Sequence, residues 1–326
     1  MNPSNESTLD IRDLRVNYLT TRGIVKAVNG VSFQVKPGEV VGLAGESGSG
    51  KSTIAHALLR ILHPPAVISG GQALFGGQDI MKMDDAELEA FRWQKISIVF
   101  QSAMNALNPV MKIRDQLADV MLHHGIDKAE AARRSVELFN LVGIEPARLD
   151  SYPHQLSGGM RQRAVIAIAL ALNPPMLIMD EPTTALDVVV QKDILEQIDL
   201  LRKQLGFSIL FITHDLSLLV EISTHICIMY AGEIVEKAPA RRLFERPQHP
   251  YTLGLMNSFP SICGDKQRLT GIPGSPPDLV TPPSGCKFHP RCPRAMNICS
   301  RVAPVTTQLT PDHSVACHLI GNGGQQ

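Results

Sequence analysis

Val40-Val41-Gly42-Leu43-Ala44, followed directly by Gly45-Glu46-Ser47-Gly48-Ser49-Gly50-Lys51-Ser52, decides how this 326-residue chain folds. An apolar run of five without alternation suits a strand buried on both faces of a parallel sheet. The eight residues after it are rich in glycine, and Thr53 to Leu62 continues as an apolar helical stretch. Glycines let the backbone curl so that successive N–H groups point inward, and the helix N-terminus adds positive potential. Lys51 then reaches the outer phosphates of a nucleotide, and the Ser52 hydroxyl is placed to ligate Mg²⁺. A strand–loop–helix unit of this kind is a nucleoside-triphosphate site and puts the chain in the α/β class.

Three further short apolar runs end in polar residues in the same manner: Ile96 to Phe100, Met176 to Met179 and Ser208 to Thr213. In open α/β sheets ligands bind at the carboxyl ends of the strands, so the residues leaving these runs are candidates for chemistry. Asp180 and Glu181 leave the second run pointing in different directions. Asp180 is assigned to Mg²⁺ and its waters, and Glu181 to the attacking water as general base. His214, after the third run, is placed to hydrogen-bond the γ-phosphate. Gln101, after the first, is neutral and suited to touch both metal and water. Each of these residues alone is also an ordinary helix cap or surface group.

Upstream, Leu9 to Tyr18 and Ala27 to Val35 alternate in part and predict antiparallel strands, with Asn29-Gly30 and Pro37-Gly38 as turns. Leu107 to Leu172, rich in Ala, Leu, Glu and Arg, predicts a helical insertion. Within it, Leu156-Ser157-Gly158-Gly159-Met160 opens another helix. Ser157 there is either a simple N-cap or part of a second anion site that another subunit completes.

Charge is balanced, 31 Lys and Arg against 31 Asp and Glu, which removes the basic footprint expected of a nucleic-acid binder. The longest apolar run, Ala164 to Leu172, is nine residues, short of the roughly 20 that span a bilayer. The first fifteen residues carry Glu6, Asp10, Arg12, Asp13 and Arg15 with no apolar core of a secretory signal. The expectation is a cytosolic chain.

Leu156 to Gln162, reading LSGGMRQ, resembles the signature motif of ATP-binding cassette (ABC) ATPases and precedes Asp180-Glu181 at that family's interval. Tyr18 resembles the aromatic residue that stacks on adenine, Gln101 the Q-loop glutamine, Ala185-Leu186-Asp187 the D-loop and His214 the switch histidine. The resemblance implies a P-loop NTPase, RecA-like core with an antiparallel β subdomain, an inserted helical subdomain at about 105–172 and a small loop-rich C-terminal extension. It also implies ATP and Mg²⁺ as cofactors. Gly45 to Thr53, with Tyr18 and Asp187, would hold the nucleotide of one subunit, and Ser157, Gly158 and Gly159 of a second would close on its γ-phosphate. ATP that bridges two surfaces favours the closed dimer, and hydrolysis releases it. The groove near Gln101 and the helical insertion would receive a cytoplasmic helix of a permease.

The C-terminal part, 241–326 by this reading, adds His249-Pro250-Tyr251-Thr252, then Pro273 to Pro311 with nine of the 23 prolines. So proline-rich a segment is expected to avoid regular helix or sheet. These features resemble the extension of dipeptide and oligopeptide importer ATPases, a group with nickel and glutathione relatives. They imply two transmembrane permease subunits, a related second ATPase as heterodimer partner and, indirectly, an extracytoplasmic peptide-binding protein. The implied location is the cytoplasmic face of the inner membrane. On spacing alone, the HPYT segment is equally a turn into a helix.

Cys286, Cys292, Cys299 and Cys317 are compatible with an iron–sulfur cluster, with zinc or with plain reduced thiols, and His289, His313 and His318 are further possible ligands. The resemblance favours a [4Fe–4S] cluster on the four cysteines; Cys227 and Cys263 read as structural. A repair or ribosome-associated ATPase of the same superfamily is disfavoured, since only 55 residues separate Gln101 from Ser157. A P-loop kinase would lack the signature and the Glu181–His214 pair.

Overall fold

A computed structural model describes residues 8–101, 106–184, 187–258 and 271–321. Ala185 and Leu186 of the D-loop resemblance, and Cys263, lie outside the described residues. Along the first half run β1 (Leu9–Thr20), β2 (Gly23–Val35), β3 (Val40–Ala44), α1 (Lys51–Leu58), β4 (Ala66–Phe75), β5 (Gln78–Asp79), α2 (Asp85–Phe91), β6 (Ile96–Val99), α3 (Ile113–His123), α4 (Lys128–Leu141) and α5 (Gly158–Ala169). Then come β7 (Met176–Asp180), α6 (Val188–Leu205), β8 (Ser208–Ile212), α7 (Leu216–Ile222), β9 (His225–Tyr230), β10 (Glu233–Pro239), α8 (Ala240–Glu245), α9 (Pro250–Met256), β11 (Thr307–Thr310), β12 (His313–Val315) and α10 (His318–Gly321). The chain divides into two compact units, one of residues 1–8, 35–39 and 78–211, the other of 9–34, 40–77 and 212–326.

In the first unit β6 and β7 pair in parallel, Ile96 opposite Met176 through Val99 opposite Met179, and β8 lies beside β7. Every residue of β7 and β8 is buried, as non-alternating strands covered on both faces should be. The expected helical insertion is present as α3, α4 and α5, which bury Ile113, Leu117, Met121, Leu138 and Phe139. Asp127 caps α4 by accepting from the amides of Ala129 and Glu130.

In the second unit β1 lies between β2 and β4, antiparallel to β4, forming the expected antiparallel layer. Its other strands run in the order β11-β12-β10-β9-β3, with β3 parallel to β9. β4 was not expected: Gly70-Gly71 interrupts its alternation, and pairing with β1 supplies the order that local pattern lacks. The tail also corrects the sequence reading. Thr307–Thr310 is a strand, paired antiparallel to β12, which in turn pairs with β10 through Glu236 opposite Val315. An existing sheet edge lets so short a segment form a ladder that it would not hold alone.

Glu236 anchors this edge. Its carboxylate is almost fully buried and accepts from the amides of Gln248 and His249 and from His313 Nε2, all at 2.9 Å. Three donors satisfy a charge that would otherwise be costly to bury.

Candidate functional site

The phosphate loop lies between β3 and α1. Gly45 has φ +152° and a Cβ there would sit 2.2 Å from Met229 O; Gly50 has φ +102° and a Cβ would sit 2.1 Å from Ala27 O. Backbone approaches this close exclude any side chain, which is why glycine stands at both positions. Gly50 is the N-cap of α1 and supplies no side-chain cap, which leaves the N-terminus of the helix suited to an anion. Ser47 and Gly48 are exposed, whereas Gly45, Ser49 and Lys51 are buried. The Lys51 ammonium donates to Gly45 O at 2.8 Å and to Glu46 O at 3.0 Å, which places its charge inside the loop. Ser52 and Thr53 occupy the first turn of α1, and the Thr53 hydroxyl lies 3.4 Å from that of Tyr18. The structure thus brings the expected adenine-stacking residue to the helix that follows the loop.

In the first unit Asp180 is the last residue of β7 and is 2% exposed. Glu181 follows with φ +46°. A left-handed conformation is strained for a residue with this side chain, and such strain gathers at functional sites. Gln101 Nε2 donates to Glu181 Oε2 at 2.9 Å, and Thr184 Oγ1 donates to the same oxygen at 3.2 Å. Two donors on one oxygen fix the plane of the carboxylate. Gln101 and Glu181, expected separately, are therefore in direct contact. Ser157 caps α5 by accepting from the Met160 amide at 3.2 Å, and Asp187 caps α6 by accepting from Val190 N at 2.9 Å. Gly159 is needed where α5 approaches α6, since a Cβ there would lie 2.9 Å from Val190 Cγ1. His214, in the second unit, is exposed just before Asp215 caps α7.

Three functional contacts escaped the sequence. Thr184 on Glu181 has a local signal, a hydroxyl three residues after the carboxylate. The other two come from the tail. Tyr251, fully buried, accepts through its hydroxyl from the Glu46 amide at 2.9 Å. Arg291 grips the Glu46 carboxylate with both terminal nitrogens, at 2.7 and 2.9 Å. His249 caps α9 by accepting from the Tyr251 amide, and burial pushes its imidazole down to about 4, so the ring is neutral and free to accept. The HPYT segment is therefore both a turn into a helix and a support for the phosphate loop. Phe288 closes the cluster against Tyr230 and Tyr251, with ring centroids 5.2 and 5.3 Å away.

Cys286, Cys292, Cys299 and Cys317 are free thiols. The other three thiols act electrostatically on Cys286, as Cys299 does on Cys292 and as Cys292 and Cys299 do on Cys317. Burial first, then the neighbouring thiols, push Cys286 up to about 11; Cys292 and Cys317 also move upward, mainly through burial. Among the described residues, however, no group of three or more His, Cys, Asp or Glu side chains is disposed to hold a metal ion. The expected iron–sulfur centre is thus gathered in donor type but not arranged as a ligand set: Cys299 Sγ accepts from the Met296 amide at 3.5 Å, and His289 and His318 are hydrogen-bonded to the carbonyls of Cys286 and Val302.

Comparison with known proteins bears on both parts of the chain. The family model described as ABC transporter matches residues 28–184, and that of the oligopeptide/dipeptide transporter C-terminal region matches 235–299. The dipeptide transport ATP-binding protein DppD of Caldanaerobacter subterraneus subsp. tengcongensis is 42% identical, covering 96% of this chain and 97% of that protein. The oligopeptide transport ATP-binding protein OppD of Escherichia coli is 44% identical over 96% of this chain and 93% of its own length. Among solved structures, the dimeric structure of MJ0796, a bacterial ABC transporter cassette, is 28% identical with TM-score 0.64, covering 72% of this chain and 99% of that one. The same cassette is also known as a dimer in a post-hydrolysis state bound to ADP and Pi.

Proposed function

The chain belongs to the ABC transporter ATPases that carry the oligopeptide/dipeptide transporter C-terminal region, and from that membership we propose how its residues convert ATP hydrolysis into peptide uptake. It is the ATP-hydrolysing subunit of an importer and works with a membrane permease. No helix among the described residues is long and apolar enough to cross a membrane. The names of the relatives favour dipeptides and oligopeptides over nickel or glutathione as the transported solute.

The observation that carries the catalytic reading is Glu181, held in a strained conformation at the end of β7 with Gln101 and Thr184 fixing one of its oxygens. In this reading Glu181 accepts the proton of the attacking water, and Gln101 orients Glu181 through its amide. Lys51 and the first-turn amides of α1 bind the β- and γ-phosphates, Tyr18 stacks on the base, and His214 donates to the γ-phosphate. Ser52, Gln101 and Asp180 offer oxygen donors, the chemistry Mg²⁺ requires; the bound ion would neutralise charge developing on the phosphoryl group. Ser157, Gly158 and Gly159 supply the second half of the site in a partner ATPase, which we take to be a related subunit. Supporting a contact surface here, Val188 and Val189, immediately after Asp187, are 80% and 71% exposed, unusual for adjacent apolar side chains. Two permease subunits and an extracytoplasmic peptide-binding protein complete the proposed assembly at the cytoplasmic face of the inner membrane.

The test is reconstitution. The chain co-expressed with its permease and second ATPase, in liposomes loaded with peptide-binding protein on the substrate side, should hydrolyse ATP several-fold faster when dipeptide or tripeptide is added. Stimulation by nickel or glutathione, and not by peptides, would overturn the peptide assignment.

A [4Fe–4S] cluster on Cys286, Cys292, Cys299 and Cys317 is the narrower part of the proposal. It rests on the family resemblance alone, since no group of three or more His, Cys, Asp or Glu among the described residues is disposed to hold a metal ion, and no step of the mechanism runs through it. Protein purified without oxygen should be brown and contain about four irons per chain; colourless protein with zinc or no metal refutes it.

A further inference from the structure

The phosphate loop carries a carboxylate of its own. Glu46 is the second residue of the loop, and binding a nucleotide brings several negative charges to the same turn. An uncompensated carboxylate there repels the ligand that the loop exists to hold. The compensation comes from the C-terminal tail. Arg291 presents a bidentate fork to Glu46, donates through Nε to Pro273 O at 2.8 Å and through Nη1 to the Tyr230 hydroxyl at 3.4 Å, and is 6% exposed against 25% for Glu46. The guanidinium also sits over the Tyr230 ring, 5.8 Å from its centroid. A planar fork locked at each nitrogen delivers its charge in one orientation.

Neighbouring contacts hold the tail in this position. Arg22, in the turn after the strand bearing Tyr18, pairs with Asp278 at 2.6 Å. Pro276, Pro277 and Leu279 then line a small open groove together with Glu46 to Ser49. The tail thus meets the nucleotide-binding half of the second unit at the β1–β2 turn, along the loop and at the Glu46 carboxylate.

We propose that Arg291 is a positioning residue for ATP: it cancels the Glu46 charge and fixes the front of the phosphate loop, so the C-terminal tail sets the affinity of the nucleotide site. This rests on the loop being the ATP site. Arg291 has no part in the chemical step, and its loss acts on binding rather than on turnover.

The experiment measures the Kd of a fluorescent ATP analogue, and KM and kcat for ATP, in the full chain. Arg291→Met, close in volume, should weaken binding about tenfold at low salt while leaving kcat within about twofold, and the defect should shrink as salt screens the bare carboxylate. Adding Glu46→Gln to Arg291→Met should recover most of the lost affinity, because the repelling charge is gone. Arg291→Lys, which keeps the charge without the fork, should fall between. Unchanged affinity in Arg291→Met, or a loss that neither salt nor Glu46→Gln reverses, overturns the proposal. A wild-type chain that binds no analogue overturns the ATP-site reading itself.

Discussion

Glu181→Gln should lower ATP turnover by about 10²- to 10⁴-fold, the usual worth of a general base, while leaving nucleotide affinity close to wild type. The substitution keeps side-chain volume, and its amide oxygen still accepts from Gln101 Nε2 and Thr184 Oγ1, the donors now 2.9 and 3.2 Å from Glu181 Oε2. What it removes is the basic oxygen that takes the proton of water. ATP then remains bound, and a nucleotide clasped between two subunits continues to favour their association. A phosphate-release assay reads the first effect. Size-exclusion chromatography with and without ATP reads the second, as a shift to dimer with the partner ATPase or with a second copy. A Glu181→Gln protein that hydrolyses ATP at the wild-type rate, or that stays monomeric at saturating ATP, sinks the shared-site mechanism.

Lys51→Ala should weaken ATP binding by about 100-fold or more. Lys51 is 5% exposed, and its ammonium sits inside the loop, donating to the carbonyls of Gly45 and Glu46. Alanine deletes both the positive charge facing the phosphates and the contacts that lace the loop's first turn. One charge-assisted hydrogen bond contributes about 1.5–3 kcal/mol, and the lost Coulomb attraction adds to it. Titration with a fluorescent ATP analogue measures the loss, and a thermal melt in the absence of nucleotide separates it from unfolding. Binding within about threefold of wild type would mean that the loop does not hold the triphosphate.

These expectations differ from that for Arg291→Met in a way that a single set of titrations separates. Lys51 and Glu181 serve binding and chemistry respectively, and each effect should persist at high salt. The Arg291 effect is an affinity change that salt diminishes and a second substitution repairs.

Residue order alone was enough for everything that depends on a few consecutive peptide units. Glycine at 45 and 50, the burial of Val40–Ala44 on both faces, the delivery of Asp180 and Glu181 to a strand end, and the capping role of Ser157 all follow from local φ/ψ limits, side-chain spacing and hydrogen bonds spanning three or four residues. The family motifs, being contiguous, were readable for the same reason. Only the tertiary structure decided the rest. β4 was hidden because Gly70-Gly71 breaks its alternation and β1 supplies its order; β11 and β12 form because β10 offers an edge. Arg291 and Glu46 stand 245 positions apart, and no local rule selects that partner among the chain's 31 acidic residues. Packing of Phe288, Tyr251 and Tyr230 into one aromatic cluster makes the choice, since burying those rings carries the guanidinium to the Glu46 carboxylate.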